Sequence, residues 1–420
     1  MEGIPASEYQ QRVRNCQKSI RRKKLDAILA YSGSRYSMGQ GVESGQHIRY
    51  FVGFNFPPHL IHEEDVVVPY MLGDSLVIIP KEGDPSLLLS RQDPKSERAK
   101  VQVWLSDVRS ISDEFSDQFS GAVNRGLAEL TGAVLDGKRK ARIGVAGTRF
   151  PLQLQVELSK VLPRTKFVEC GNELDQLRAI KTSNELRIMR KAAEIADEGV
   201  RAMIEACKPG IAEFEVHMAV EKAMFDAGGD NPWSVIQSGP RASISYMSPD
   251  YTQRKLREGD MIYADIGSEL MGYHSDIQPA YIVGKGNAEQ LSIIEGSLKM
   301  LKAMFKSTRS GATDTDVVKA AYSAVGDSPY QDYVRRWTLG HGYGVGSDPP
   351  DMTSATLALP RSKQMKLQEN MVLCLEPGIF VPEVGGAAVE DEVIVTANGC
   401  EILTDCARRA EELLTQQRSP

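Results

Sequence analysis

The chain has 420 residues, 41% of them hydrophobic and 25% charged, with a formal net charge of −6. This is the make-up of a soluble globular protein with room for two or three domains, and the acidic balance offers no nucleic-acid surface. No window approaches the roughly 18 apolar residues of a membrane span, and the N-terminus, M-E-G-I-P-A-S-E-Y, lacks the charged and apolar regions of a signal peptide.

In chain order, Ser7 can cap a helix running to about Lys23, with Tyr9, Val13, Cys16 and Ile20 as its apolar stripe. A short strand follows from Leu25 to Tyr31, and Ile48 to Phe56 reads as another, leading into a Pro-Pro loop. Further strand-like segments are Ser75 to Ile79, Leu87 to Ser90, Val101 to Leu105 and Arg142 to Val145. Helical stretches fall near Asp117 to Leu130 and Leu152 to Leu162. The alternation predicts an α/β domain over residues 1–172, with a mostly parallel or mixed sheet. His47, His59 and His62 lie in it and read as loop histidines, and Lys138, Arg139, Lys140 and Arg142 read as a solvated loop.

The second domain, residues 173–420, opens on a capping box, Thr182-Ser183-Asn184-Glu185. A long helix follows and ends before Lys208-Pro209-Gly210, and a second runs from Glu213 to about Ala227. The segment G-I-A-E-F-E-V-H-M-A from Gly210 is echoed by G-A-T-D-T-D-V-V-K-A from Gly311. Each is followed by a helix and then by strands carrying two acids, which predicts two related α+β halves about a pseudo-twofold axis. Cys16, Cys170, Cys207, Cys374, Cys400 and Cys406 show no CxxC spacing and read as free thiols of a reducing cytosol, so the expected location is cytoplasmic.

The acids sit where acids are unusual. Met261 to Ala280 holds two apolar runs flanking Gly272, one with Asp265 and one with Asp276. Acidic residues are depleted in strands, and a buried carboxylate is costly unless paired or metal-bound. A hairpin turning at Leu270-Met271 would set the two opposite each other and facing the same way. Met371 to Thr396 repeats the arrangement, with a turn near Pro382 to Gly386 setting Glu376 opposite Glu390. Between the hairpins lies G-H-G-Y-G-V-G, with His341 among glycines. Four carboxylates and one imidazole are a ligand set for two divalent ions. His274, two residues before Asp276, shares its strand face and reads first as a partly buried strand histidine, with lining the pocket or ligating as the alternatives. Trp233 and Trp337 read as core or rim aromatics.

At these residues the chain resembles the creatinase and aminopeptidase P family, the pita-bread fold. Asp265, Asp276, His341, Glu376 and Glu390 match the family's five ligand positions in order. The segments R-A-I-K-T-S-N-E-L, S-G-P-R-A, R-K-L-R-E-G-D and V-E-D-E-V-I-V-T resemble its lead-in and strands, and the resemblance is strongest over residues 175–410. It implies a creatinase-like N-terminal α/β domain, a C-terminal pita-bread domain and a homodimer. It also implies two divalent ions (Mn, Fe, Co or Zn), with Asp276 and Glu390 shared between them and Asp265, Glu376 and His341 terminal. Residues of the N-terminal domain, His59 or His62 among them, could reach the partner subunit's site. Three positions depart from the peptidases of the family: Tyr246 and Asp348 stand where histidines are usual, and Gln278-Pro279 replaces a Thr-Arg pair. The segment G-V-G-S-D-P-P-D-M resembles members acting on small non-peptide molecules. The expected activity is therefore hydrolysis of a C–N bond in a small polar substrate by a metal-bridged hydroxide, with Glu376, Asp348 and Tyr246 managing protons. An Xaa-Pro peptidase, a metal-dependent C–S lyase and a non-catalytic pita-bread binding protein are the alternatives.

Overall fold

A computed structural model describes residues 3–32, 46–53, 75–89, 104–111, 123–135, 141–146, 150–245 and 249–418. The chain divides into two compact units between Arg178 and Ala179.

The N-terminal unit carries strands β1 (Ala27–Ser32), β2 (Ser75–Pro80), β3 (Ser86–Leu89), β4 (Asp107–Ser110), β5 (Arg142–Ala146) and β6 (Lys166–Glu169). They form one mixed sheet in the order β4-β3-β2-β1-β5-β6, parallel at β1/β5, β5/β6 and β3/β4 and antiparallel at β1/β2 and β2/β3. One face packs on Leu127, Leu130, Leu154 and Leu158 from two helices.

Three local expectations change here. The first helix spans Ala6–Arg22 with Pro5, not Ser7, at its N-cap. Pro5 is extended, and its carbonyl accepts from the Glu8 amide at 2.9 Å, so the first turn closes without a side-chain cap. The segment expected as a strand from Ile48 is the helix Gln46–Val52, and every residue of it is buried. An apolar run buried on all sides has no periodicity by which strand and helix can be told apart. Of the strand expected over Val101 to Leu105, only Trp104 and Leu105 are among the described residues, and they precede β4 without joining it. His47 is buried, and its Nδ1 lies 2.7 Å from the Arg178 guanidinium. Burial first, then that cation, holds the imidazole well below its ordinary pKa, so it is a neutral packing residue.

The C-terminal unit is built twice over. Thr182 caps the helix Ser183–Ala206 with Glu185 completing the box, as the sequence predicts. Gly210 then turns with φ 89° and Gly311 with φ 86°. The Gly210 amide donates to the Leu256 carbonyl, and the Leu256 amide donates back to Ile211. The Gly311 amide donates to Leu367, and the Leu367 amide donates back to Ala312. Helices Glu213–Asp226 and Asp314–Ala324 follow the two turns. Gly259 (φ 81°) and Asn370 (φ 68°) then occupy matching left-handed corners before the acid-bearing strands.

Those strands are β7 (Trp233–Ser238), β8 (Met261–Leu270), β9 (Tyr273–Ile277) and β10 (Ala280–Ile282) in the first half. The second half has β11 (Gly340–Tyr343), β12 (Ser347–Met352), β13 (Val372–Leu375), β14 (Gly378–Val381), β15 (Gly385–Ala388), β16 (Asp391–Val395) and β17 (Cys400–Ile402). The first sheet runs β10-β8-β7 with β9 also on β8, and the second runs β12-β11-β13-β16-β17. Their apolar faces join in one core with Met203, Val220, Leu301 and Val318 from the helices. The resulting architecture is the two-domain creatinase-like α/β plus pita-bread arrangement with internal pseudo-twofold symmetry.

Candidate metal centre

The first hairpin turns at Met271 (φ 52°) and Gly272 (φ 83°), the pair of left-handed residues a type I′ turn needs. The turn falls one residue later than expected, so Asp276 pairs with Gly267 and not with Asp265. The partner strand has slipped by two residues. A slip of two keeps every side chain on its own face, so Asp265 and Asp276 still converge, now as diagonal neighbours.

In the second half β13 pairs with β16 at Leu375–Asp391, and β14 pairs with β15 at Gly378–Ala388. One continuous register through both ladders sets Glu376 across from Glu390. The two sheets are stitched together at this point: the Glu390 amide donates to the Gln278 carbonyl at 2.9 Å, and the His274 amide donates to Gly344 at 2.9 Å. His341 enters on β11, between β12 and β13. Its neighbour Gly342 must be glycine, because a Cβ there would lie 2.5 Å from the Asp348 carbonyl oxygen.

The side chains therefore meet. His341 Nε2 is 3.5 Å from Asp276 Oδ2 and 3.7 Å from Glu376 Oε1. Among the described residues, Asp276, His341, Cys374 and Glu390 each offer one ligand atom within 4.8 Å of the others. Both carboxylate oxygens of Glu390 and Oδ1 of Asp276 are buried with no hydrogen-bond partner. Buried carboxylate oxygens left this way cost free energy that a cation would return. The donor set, carboxylates with one imidazole, fits a divalent ion.

Electrostatics say the same. Burial, then Asp276 by charge and hydrogen bond, pushes Asp265 well above the carboxylate range. Burial, then Asp276 and Glu376, does this to Glu390. For His341 burial lowers the pKa, but the hydrogen bond to Asp276 and the charge of Glu376 outweigh it and raise the pKa to about 9. Without an ion, these groups hold protons in its place.

Several partners carry no sequence signal. Arg335, from outside the acid strands, places Nη2 2.7 Å from Glu376 Oε2 and also donates to the Glu376 carbonyl. Gln278 Nε2 donates to the same Oε2 at 3.0 Å, and Thr338 donates to Oε1. Gln278, which replaces the Thr-Arg pair, is thus a clamp on Glu376, held in turn by Arg335 Nη1 at 3.2 Å. Glu392, two residues past Glu390, is a further buried acid. It accepts from Ser275 at 2.8 Å, and burial pushes its pKa well up. Cys374, two residues before Glu376 on a strand, could have been found from the period of two.

The other expected site residues are placed as follows. Asp348 is buried, and its Oδ2 receives Lys181 Nζ at 2.8 Å. It is not among the clustered ligand atoms. His274 lies opposite Glu269, with Nε2 3.9 Å from a Glu269 carboxylate oxygen, and it stays outside the cluster too. Tyr246, His59 and His62 lie outside the described residues. Trp233 is a core aromatic, and Trp337 is half exposed over the Arg335 guanidinium, 5.3 Å away.

Comparison with known proteins gives a consistent picture. Residues 187–397 match Metallopeptidase family M24, and residues 12–180 match the Creatinase/Prolidase N-terminal domain. The chain is 32% identical over 257 residues to an Xaa-Pro dipeptidase of Pyrococcus horikoshii, covering 60% of this chain and 70% of that one. It is 25% identical over 414 residues to an uncharacterized hydrolase/peptidase of Sinorhizobium fredii, covering 97% of each. Among solved structures, the prolidase from Pyrococcus horikoshii superposes with a TM-score of 0.74 at 24% identity, over 94% of this chain and 98% of that one. Aminopeptidase P of Escherichia coli does so with a TM-score of 0.71 at 18% identity, over 99% of each. At these identities the structural matches establish a common fold.

Proposed function

The chain belongs to metallopeptidase family M24, and on that premise we propose a metal-dependent hydrolase cleaving the amide C–N bond of a small polar substrate or short peptide. The observation that carries this reading is Glu390, buried with both carboxylate oxygens unpartnered, facing Asp276 and His341. Asp265, Asp276, His341, Glu376 and Glu390 would hold the ions, two per chain, of Mn, Fe, Co or Zn. When bound, such ions supply an acidified water and polarise the scissile carbonyl.

The chain's own groups supply the rest. Glu376 is fixed by Arg335, Gln278 and Thr338. A carboxylate held this firmly can take a proton from the attacking water and return it to the leaving nitrogen without moving. Asp348, paired with Lys181, is assigned a positioning role: it anchors β12 beside the His341 strand. Tyr246 is assigned as a donor to the substrate from the segment after Ser238-Gly239-Pro240.

Two substrate classes fit. The names of the relatives favour Xaa-Pro dipeptides. The lysine-bound Asp348, where family peptidases have a histidine, favours a small non-peptide amide. The test is a panel of Xaa-Pro dipeptides, other dipeptides and small amides, run in isotopically labelled water with wild type and Glu376→Ala. Release of an amine, with solvent oxygen in the new carboxylate and loss in the variant, is the expected result. An unsaturated product without solvent oxygen would make the enzyme a lyase, and turnover unaffected in Glu376→Ala would remove the mechanism.

We further assign the chain as a cytoplasmic homodimer. All six cysteines are free thiols, and Phe214, Met218 and Phe225 stand exposed along one helix, which supports a self-association face. Sedimentation equilibrium tests it.

A further inference from the structure

Cys374 lies directly across from His341 on β11 and from Glu392 on β16. Residues opposite each other in antiparallel strands share a face, so the thiol and the imidazole point the same way. Cys374 is fully buried, which removes it from surface thiol chemistry. Its Sγ lies within 4.8 Å of ligand atoms of Asp276, His341 and Glu390. Four donors about 2.0–2.3 Å from one tetrahedral ion lie roughly 3.3–3.8 Å apart, so a closure of about 1 Å at the widest pair would complete a four-donor shell. An independent observation points to the same place: the buried, unpartnered oxygens of Glu390 and Asp276 line it.

We propose that Cys374 is a thiolate ligand to the ion on the His341 side of the centre, alongside Asp276, His341 and Glu390. The inference rests on the metal-centre reading above and deepens it. The internal repeat sharpens the contrast between the two ion positions. Tyr263 stands two residues before Asp265, as Cys374 stands two residues before Glu376. The Asp265 side thus offers oxygen donors, and the His341 side adds sulfur. Soft sulfur favours Zn²⁺, Co²⁺ or Fe²⁺, and an all-oxygen shell suits Mn²⁺. The two positions should therefore differ in metal preference.

The test is Co²⁺ titration of the metal-stripped, full-length protein, followed by absorbance. Wild type should show a sulfur-to-cobalt charge-transfer band in the near ultraviolet together with the weaker ligand-field bands. In Cys374→Ser the ligand-field bands should remain, the charge-transfer band should vanish, and Zn²⁺-over-Mn²⁺ preference should fall about tenfold. Cadmium NMR of the wild type, which needs no variant, should give a deshielded, sulfur-ligated resonance. If Co²⁺ binds without a charge-transfer band, or the band survives in Cys374→Ser, the thiolate assignment is overturned and the metal centre stands. If no Co²⁺ binds, both fall.

Discussion

Arg335 and Glu376 form a buried ion pair, Nη2 to Oε2 at 2.7 Å, on the edge of a cluster that already holds Asp265, Asp276 and Glu390. One guanidinium thus offsets part of the charge that four clustered carboxylates bring. Removing it leaves the Glu376 carboxylate buried without its cationic partner. Breaking a buried pair from one side typically costs about 3–5 kcal/mol. For Arg335→Met that loss should appear in urea unfolding of the metal-free protein and shrink once a divalent ion is bound, because the ion restores positive charge. An equal loss with and without metal would mean that Arg335 serves packing alone.

Lys181 and Asp348 make a second buried pair, at 2.8 Å with both side chains about 1% exposed. If Asp348 positions β12, Lys181→Met should destabilise by about 3–5 kcal/mol, and Lys181→Met with Asp348→Leu should recover much of that. Turnover should follow stability in this cycle. A full loss of kcat in Asp348→Asn at unchanged stability would make Asp348 an acid–base group.

Metal affinity should rise with pH. In the metal-free protein Asp265 and Glu390 are pushed well above their ordinary values and His341 to about 9. An ion must displace those protons, so apparent affinity is weakest at low pH and increases as pH rises towards 9. Calorimetry in buffers of different ionisation enthalpy should register net proton release on binding. Binding enthalpies independent of the buffer would contradict this.

Asp197 offers a stability test remote from the cluster. It is buried, its Oδ1 has no hydrogen-bond partner, and burial with Asp405 nearby raises its pKa from 3.8 to about 6. The folded state therefore holds this proton more tightly than the unfolded state does. Its contribution to stability is greatest below about pH 4 and is lost as pH rises to about 6. Asp197→Asn should gain about 2 kcal/mol at pH 8 and little at pH 4, a flattened profile visible in Tm against pH. An unchanged profile would show that Asp197 relaxes to water.

Much of this was legible in the sequence where the signal is local. The Thr182–Glu185 box needs only four residues. The echo between Gly210 and Gly311 reappears as the same set of backbone hydrogen bonds in each half. The Asp265/Asp276 hairpin turns one residue later than the sequence predicts, yet the two acids converge because strand faces repeat every two residues. What was illegible depends on distant chain segments. Arg335 reaches Glu376 from 41 residues away, and Lys181 reaches Asp348 from 167, and no spacing rule links such positions. The helix Gln46–Val52 has no amphipathic period to distinguish it from a strand, because it is buried all round. Cys374 carries no metal-site signal in its spacing to the other cysteines, and its signal lies in its strand phase relative to Glu376.

The central claim is that this cluster holds metal, and elemental analysis of the purified protein tests it most directly, with Asp276→Ala alongside. One to two transition-metal ions per chain are expected in the wild type, falling to below one in the variant because Asp276 faces His341 and Glu390 alike. No bound metal after reconstitution with Mn²⁺, Fe²⁺, Co²⁺ or Zn²⁺ would contradict the account and leave the carboxylates as a protonated, metal-free pocket.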